Sequence, residues 1–194
     1  MTTALAEPPG GRPVPVRWTR AEYHRLGETG VLAGRRVELI RGEIYEMSPI
    51  SWRHALAKTR VVRVLDAVFA GTAWVQDQNP FQAGDSEPQP DAAVIPGRPE
   101  DYSDHPTVAL LVVEVSDTTL DHDITVKAEL YATAGVPDYW VLDVDGRQLR
   151  VFRDPAPIPG GGAAYRTQRT HGPADAVAPL AAPAAPVQVA DLLP

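Results

Sequence analysis

The segment Val108-Ala109-Leu110-Leu111-Val112-Val113-Glu114-Val115 constrains the fold of this chain more than any other. Apolar side chains fill every position but one, so the run reads as a strand covered on both faces. Glu114 breaks it. Two further charges stand where the local pattern asks for apolar groups. Lys127 lies among Ile124, Ala128 and Tyr131, the i, i+3, i+4, i+7 stripe that faces the core of the next helix. Asp91 heads the apolar stretch Ala92-Ala93-Val94-Ile95. Ionised groups in such places are costly unless they are paired or hold a metal. The three together point to a site.

The 194 residues suffice for one domain with a substantial core. Hydrophobic content of 44% against 22% charged marks a globular chain rather than a disordered one. With no cysteine, thiol nucleophiles, disulfides and cysteine-bound zinc are excluded. The first residues are rich in Pro, Gly and Ala and lack the basic-then-apolar layout of a signal peptide. No apolar stretch is long enough for a membrane span. A soluble, cytoplasmic protein is the expectation. The net charge of −7 argues against a passive coat on nucleic acid. It leaves open an enzyme whose acidic centre meets phosphates through divalent cations.

Residues 1–16 read as a flexible arm and 17–194 as a single domain, with a loosely packed Pro/Ala-rich tail from about 174. Thr19-Arg20-Ala21-Glu22 is a capping box opening a short helix. Arg36 to Ile40 and Glu43 to Met47 form a hairpin around Arg41-Gly42. Ser51 caps a longer helix carrying Val61, Val62, Leu65, Val68 and Phe69 on one face. Strands are expected at 73–78, 91–95 and 108–115. Asp121 or Asp123 caps the next helix, which Gly135 ends. Tyr139 to Val144 and Gln148 to Arg153 make a second hairpin around Asp145-Gly146, and a last strand covers 165–170. The order predicts an α/β fold, a mixed β-sheet flanked by helices in one domain.

Antiparallel pairing of 91–95 with 108–115 and Asp91 opposite Glu114 sets Ile95 opposite Leu110, with all four side chains on one face. The helix after Glu114 folds back over that face and brings Lys127 down onto the two acids. Close carboxylates repel, so one takes a proton, pairs with a cation or shares a metal. Hard oxygen ligands favour Mg²⁺, Mn²⁺ or Ca²⁺. Glu38, an acid among apolar neighbours in Val37-Glu38-Leu39-Ile40, is a candidate third ligand.

The segments Val37-Glu38-Leu39-Ile40-Arg41-Gly42-Glu43, Pro90-Asp91, Leu111-Val112-Val113-Glu114-Val115-Ser116, Lys127 with Tyr131, and Gly135-Val136-Pro137-Asp138-Tyr139-Trp140 together resemble the Uma2 family of endonucleases. That family belongs to the restriction-endonuclease-like PD-(D/E)XK superfamily. The resemblance implies Mg²⁺- or Mn²⁺-dependent cleavage of phosphodiesters in DNA. It makes Asp91, Glu114 and Lys127 the catalytic residues. Glu38, Asp91, Glu114 and the main-chain carbonyl of Val115 would be the metal ligands. The lysine usual two residues after the acid is replaced by Ser116, and Lys127 from the following helix fits the family's alternative placement. A two-fold homodimer would supply one such site per DNA strand, although no sequence feature demonstrates it.

Each residue also has a plainer reading. Glu114 and Lys127 could form a buried ion pair that sets helix register. Asp91 could be a strand-start residue, and Glu38 a solvated hairpin acid. His54 reads as a surface or capping residue, and Asp121-His122-Asp123 as an N-terminal cap. Ser116 lacks the partners of a serine hydrolase. Tyr139 and Trp140 read as core, and Arg147, Arg150 and Arg153 as a solvated strand face. The rival functions are a catalytically silent module that binds nucleic acid or protein, and an enzyme acting on another phosphorylated substrate.

Overall fold

The computed structural model describes residues 13–194. Most of the arm expected over 1–16 therefore lies outside the described residues. The chain begins with the helix α1 (Arg20–Glu28). Thr19 caps it, and the Glu22 side chain reaches back to the Thr19 N–H, completing the expected capping box. The first hairpin pairs β1 (Val37–Ile40) with β2 (Glu43–Glu46). Its turn places Arg41 at φ 51° and Gly42 at φ 77°, the mirror-image turn that matches strand twist. α2 (Trp52–Phe69) follows, with the Ser51 side chain accepting a hydrogen bond from the His54 N–H.

A six-stranded mixed sheet organises the rest, in the order β3 (Ala73–Asp77), β4 (Ala92–Pro96), β5 (Leu111–Ser116), β6 (Asp138–Asp143), β7 (Gln148–Pro157) and β8 (Ala163–His171). All neighbours run antiparallel except β5 and β6. A parallel pair needs a crossover, and here it is a helical segment. The segment comprises α3 (Leu120–His122), a π-turn (Asp123–Lys127) and α4 (Ala128–Thr133).

Alternation along β5 divides the core. Leu111, Val113 and Val115 pack with Ala57, Val61, Leu65 and Phe69 of α2 on one face. Val112 packs with Ala128, Tyr131 and Tyr139 on the other. Glu114 shares that second face by period-two alternation. The expected β4–β5 register is present, with Ala92 opposite Val113 and Val94 opposite Leu111.

Several expectations need correction. β5 starts at Leu111, and Val108 is more than half exposed. Leu110 lies outside the pleat, so alternation does not govern it, and it packs against the α2 side rather than with Ile95. Asp145-Gly146 is not a two-residue turn: residues 144–147 connect the strands and Arg147 takes the positive φ of 48°. The cause is Asp143, whose Oδ1 accepts the Gly146 N–H at 2.7 Å and leaves no room there for a Cβ. Arg150 and Arg153 do not present a solvated face. They pair with Asp143 at 3.6 Å and Asp138 at 2.8 Å.

The tail is not loose. β9 (Ala176–Val177) pairs with β10 (Val187–Gln188), and α5 (Val189–Leu192) packs on α2. Val177, Val187, Val189, Leu192 and Leu193 are buried in the α2-side core. Composition hid this because the apolar anchors are sparse between prolines. Leu192→Ala should therefore cost about 2–4 kcal/mol in urea denaturation, as for a core leucine. A loss below about 0.5 kcal/mol, typical of surface changes, would return the tail to the periphery.

Candidate active site

β4 stops pairing with β5 at Val113, and Asp91 sits one residue before β4. The edge of β5 beyond Val113 is thereby open to the Asp91 side chain. The Val115 N–H donates to Asp91 Oδ2 at 2.8 Å. Asp91 Oδ1 is held by His54 Nε2 at 2.9 Å and by Gln78 Nε2 at 3.3 Å. Asp91 is thus fixed by three contacts next to Glu114, where the register placed it.

The crossover segment closes over this end of the sheet. Its π-turn, a wide turn frequent at functional sites, buries both Asp123 and Lys127. Lys127 Nζ donates to Glu114 Oε1 at 3.0 Å and lies 3.3 Å from Glu38 Oε2. Tyr131, one turn on, donates its hydroxyl to the same Glu114 oxygen at 2.8 Å. Glu114 Oε2 has no hydrogen-bond partner among the described residues. Glu38 Oε2 also accepts the Gln89 N–H at 3.2 Å. Asp123 accepts from Thr119 Oγ1 at 2.6 Å, and its carbonyl from the Tyr139 hydroxyl at 2.9 Å.

These groups line one cavity of about 280 Å³ between the first hairpin, the start of α2 and the crossover segment. Glu38, Asp91, Glu114, Val115, Asp123 and Lys127 all border it. Burial pushes the Glu114 carboxyl up to about 8, with Lys127 pulling it down and Asp91 adding to the rise. Burial alone would lower Lys127, but Glu114, Glu38 and Asp123 outweigh it and hold the ammonium above the ordinary lysine value. Asp123 is likewise raised by burial against the pull of Lys127 and the Thr119 hydrogen bond. The cavity holds more acid than its one buried ammonium balances.

The four side chains singled out in the sequence, Glu38, Asp91, Glu114 and Lys127, thus border one cavity. Three neighbours of them had not been singled out. The sequence pattern makes His54 a surface cap, yet its side chain holds Asp91 while its N–H takes the Ser51 cap. Gln78 carried no signal, since its φ of 49° at the end of β3 is a property of the fold. The sequence pattern makes Asp123 a cap. The helix instead starts at Leu120, which turns Asp123 inward one turn before Lys127. That i, i+4 spacing on an inward stripe was the available signal.

Asp91 stands at the mouth of β4 and Glu114 on the neighbouring β5 of one six-stranded mixed sheet. The family model named Uma2 and described as "Putative restriction endonuclease" matches residues 20–189, and the chain belongs to that family. The fold is also similar to the crystal structure of "a putative nuclease belonging to DUF820" from Anabaena variabilis ATCC 29413. The two are 19% identical, with a TM-score of 0.68 over 92% of this chain and 97% of the other. No curated protein matches the sequence.

Removing the ammonium would leave two buried carboxylates facing each other. Lys127→Met should cost about 3–5 kcal/mol in chemical denaturation. Adding Glu114→Gln should recover part of that loss, because it removes one of the stranded charges. Additive losses would mean that the contact carries no coupling.

Proposed function

We propose that the protein is a cytoplasmic, Mg²⁺- or Mn²⁺-dependent endonuclease that hydrolyses phosphodiester bonds in DNA. Family membership supports the nuclease class. The observation that carries the finer reading is the convergence of Asp91, Glu114 and Lys127 at one end of the sheet.

The donor chemistry fits a hard divalent cation. Oxygen donors are plentiful, thiols are absent, and Glu114 Oε2 is left without a protein partner. Among the described residues no group of three or more His, Asp or Glu forms a ready-made metal cage. Mg²⁺ asks for less, since it is commonly held by one or two carboxylates together with waters and substrate phosphates. Asp91, Glu114 and the Val115 carbonyl would hold it, with Glu38 as the further ligand. When bound, the ion would lower the pKa of a water and polarise a phosphoryl oxygen.

The remaining roles belong to the chain. Lys127 would orient the attacking water and stabilise negative charge on the phosphate as the P–O bond breaks. Glu38 keeps that ammonium charged and in place. His54 and Gln78 lock the rotamer of Asp91, as outer-shell partners do for metal-binding carboxylates. A silent binding module remains the second reading. The observation favouring it is that Lys127 already contacts two carboxylates, as a purely structural lysine would.

Incubation with supercoiled plasmid separates the two. The protein should nick plasmid with Mg²⁺ or Mn²⁺ and stop on chelation. Asp91→Ala and Lys127→Ala, where folded, should lose about 10²-fold or more. Equal nicking by all three proteins would end the proposal. Calorimetric titration with Mn²⁺ tests the supporting contacts: His54→Ala should weaken binding by about 10- to 100-fold. Unchanged affinity would remove His54 from the site.

A further inference from the structure

Among the described residues, only two lining the cavity carry a permanent positive charge, Lys127 and Arg36. Lys127 is engaged by Glu38 and Glu114. Arg36 is not engaged. Its Nη2 is buried without a hydrogen-bond partner, and among the described residues its side chain forms no ion pair. The backbone around it is well fixed, since the Arg36 carbonyl accepts the Met47 N–H at 2.8 Å at the base of the first hairpin. Two residues further on is Glu38, and both residues border this cavity, Arg36 lining a second one beside α1 as well.

Arg36 is half-buried, and the buried end of its guanidinium cannot shed charge by losing a proton; buried N–H groups without acceptors are rare in native structures. Stability alone would pair Arg36 with one of the carboxylates around it. The neighbouring Arg35 does reach Glu46, at 3.8 Å. Instead the cavity keeps one planar, multi-donor cation unspent among acids that repel any anion. The ligand such a fork suits is an oxyanion with two or more acceptor oxygens, and a phosphodiester is one.

We propose that Arg36 is the substrate-binding residue of this cavity, donating to the non-bridging oxygens of a nucleic-acid phosphate. The proposal rests on the nuclease reading for the identity of the phosphate, and on the unpaired guanidinium for the contact. Its effect is on binding and positioning, so Arg36 should govern KM more than kcat.

The test uses the full chain as wild type, Arg36→Ala and Arg36→Lys. Binding is followed by anisotropy of a short labelled DNA strand, with Ca²⁺ in place of Mg²⁺ so that the strand stays intact. A second strand carries one neutral methylphosphonate in place of a phosphate. Arg36→Ala should weaken binding, and raise KM in cleavage, by roughly 10- to 100-fold. Arg36→Lys should recover part of that, because charge returns without the fork. Neutralising the contacted phosphate should weaken the wild type and leave Arg36→Ala little changed. Without DNA, Arg36→Ala should unfold at the same temperature as the wild type or a higher one, since it deletes an unsatisfied donor. Binding by Arg36→Ala within twofold of wild type overturns the proposal. So does a lower unfolding temperature with unchanged binding, which would make Arg36 structural. Arg36-dependent binding without plasmid nicking by the wild type would keep the phosphate seat and reject the nuclease. Absence of binding by the wild type would reject both.

Discussion

The buried ammonium of Lys127 is the contact on which this architecture turns. It joins three segments distant in sequence: Glu38 on the first hairpin, Glu114 on β5, and the π-turn that carries Lys127 itself. None of these charges is tolerable alone in the interior, so each segment is held by what the other two would lose. The hairpin is paired to no strand of the main sheet. Besides the Lys127 ion pair, it is held by the bridge between Leu39 and Glu87, by Gln89 donating to Glu38 and to the Val37 carbonyl, and by Ser86 accepting the Arg41 N–H. A wide turn inside a helix costs regular hydrogen bonding. It is explained here by geometry, because it brings Asp123 and Lys127 together into the cavity.

Asp91 depends on a different constraint, the place where a ladder ends. β4 and β5 pair up to Val113 and then part, so the Val115 amide finds Asp91 Oδ2 instead of a strand partner. Had the ladder run two residues further, a main-chain carbonyl would have taken that amide and Asp91 Oδ2 would have lost its partner. The parallel step from β5 to β6 matters equally. It forces a crossover, and only a crossover can lay a helix across the end of the strand that bears Glu114.

The parts of the fold legible in the sequence are those fixed by short-range rules. Period-two alternation gave the β4–β5 register, and local capping gave the starts of α1 and α2. The four charged residues were legible because each contradicts its apolar surroundings. What stayed hidden depends on partners far along the chain. His54 becomes part of the site only because α2 begins beside Asp91, 37 residues away. The Pro/Ala tail carries few apolar side chains, and only the groove beside α2 gives them somewhere to go. Asp145-Gly146 obeyed a side chain, Asp143, that turn statistics do not consider.

A net charge of −7 and a cavity crowded with carboxylates at first oppose a polyanionic substrate. The opposition acts at long range, where the summed field would slow encounter with a nucleic acid rather than steer it. At short range a bound cation would reverse the balance. Under the proposed chemistry, hard cations entering with the substrate would bring positive charge to Asp91 and Glu114, and the Arg36 guanidinium borders the same cavity. Recognition built this way gains nothing from DNA held away from the cavity. Affinity should therefore be modest without divalent cations and should fall gently with salt, because few phosphates are neutralised by the protein surface itself. The same acids that repel a bare phosphate are what would make its metal-bound form welcome.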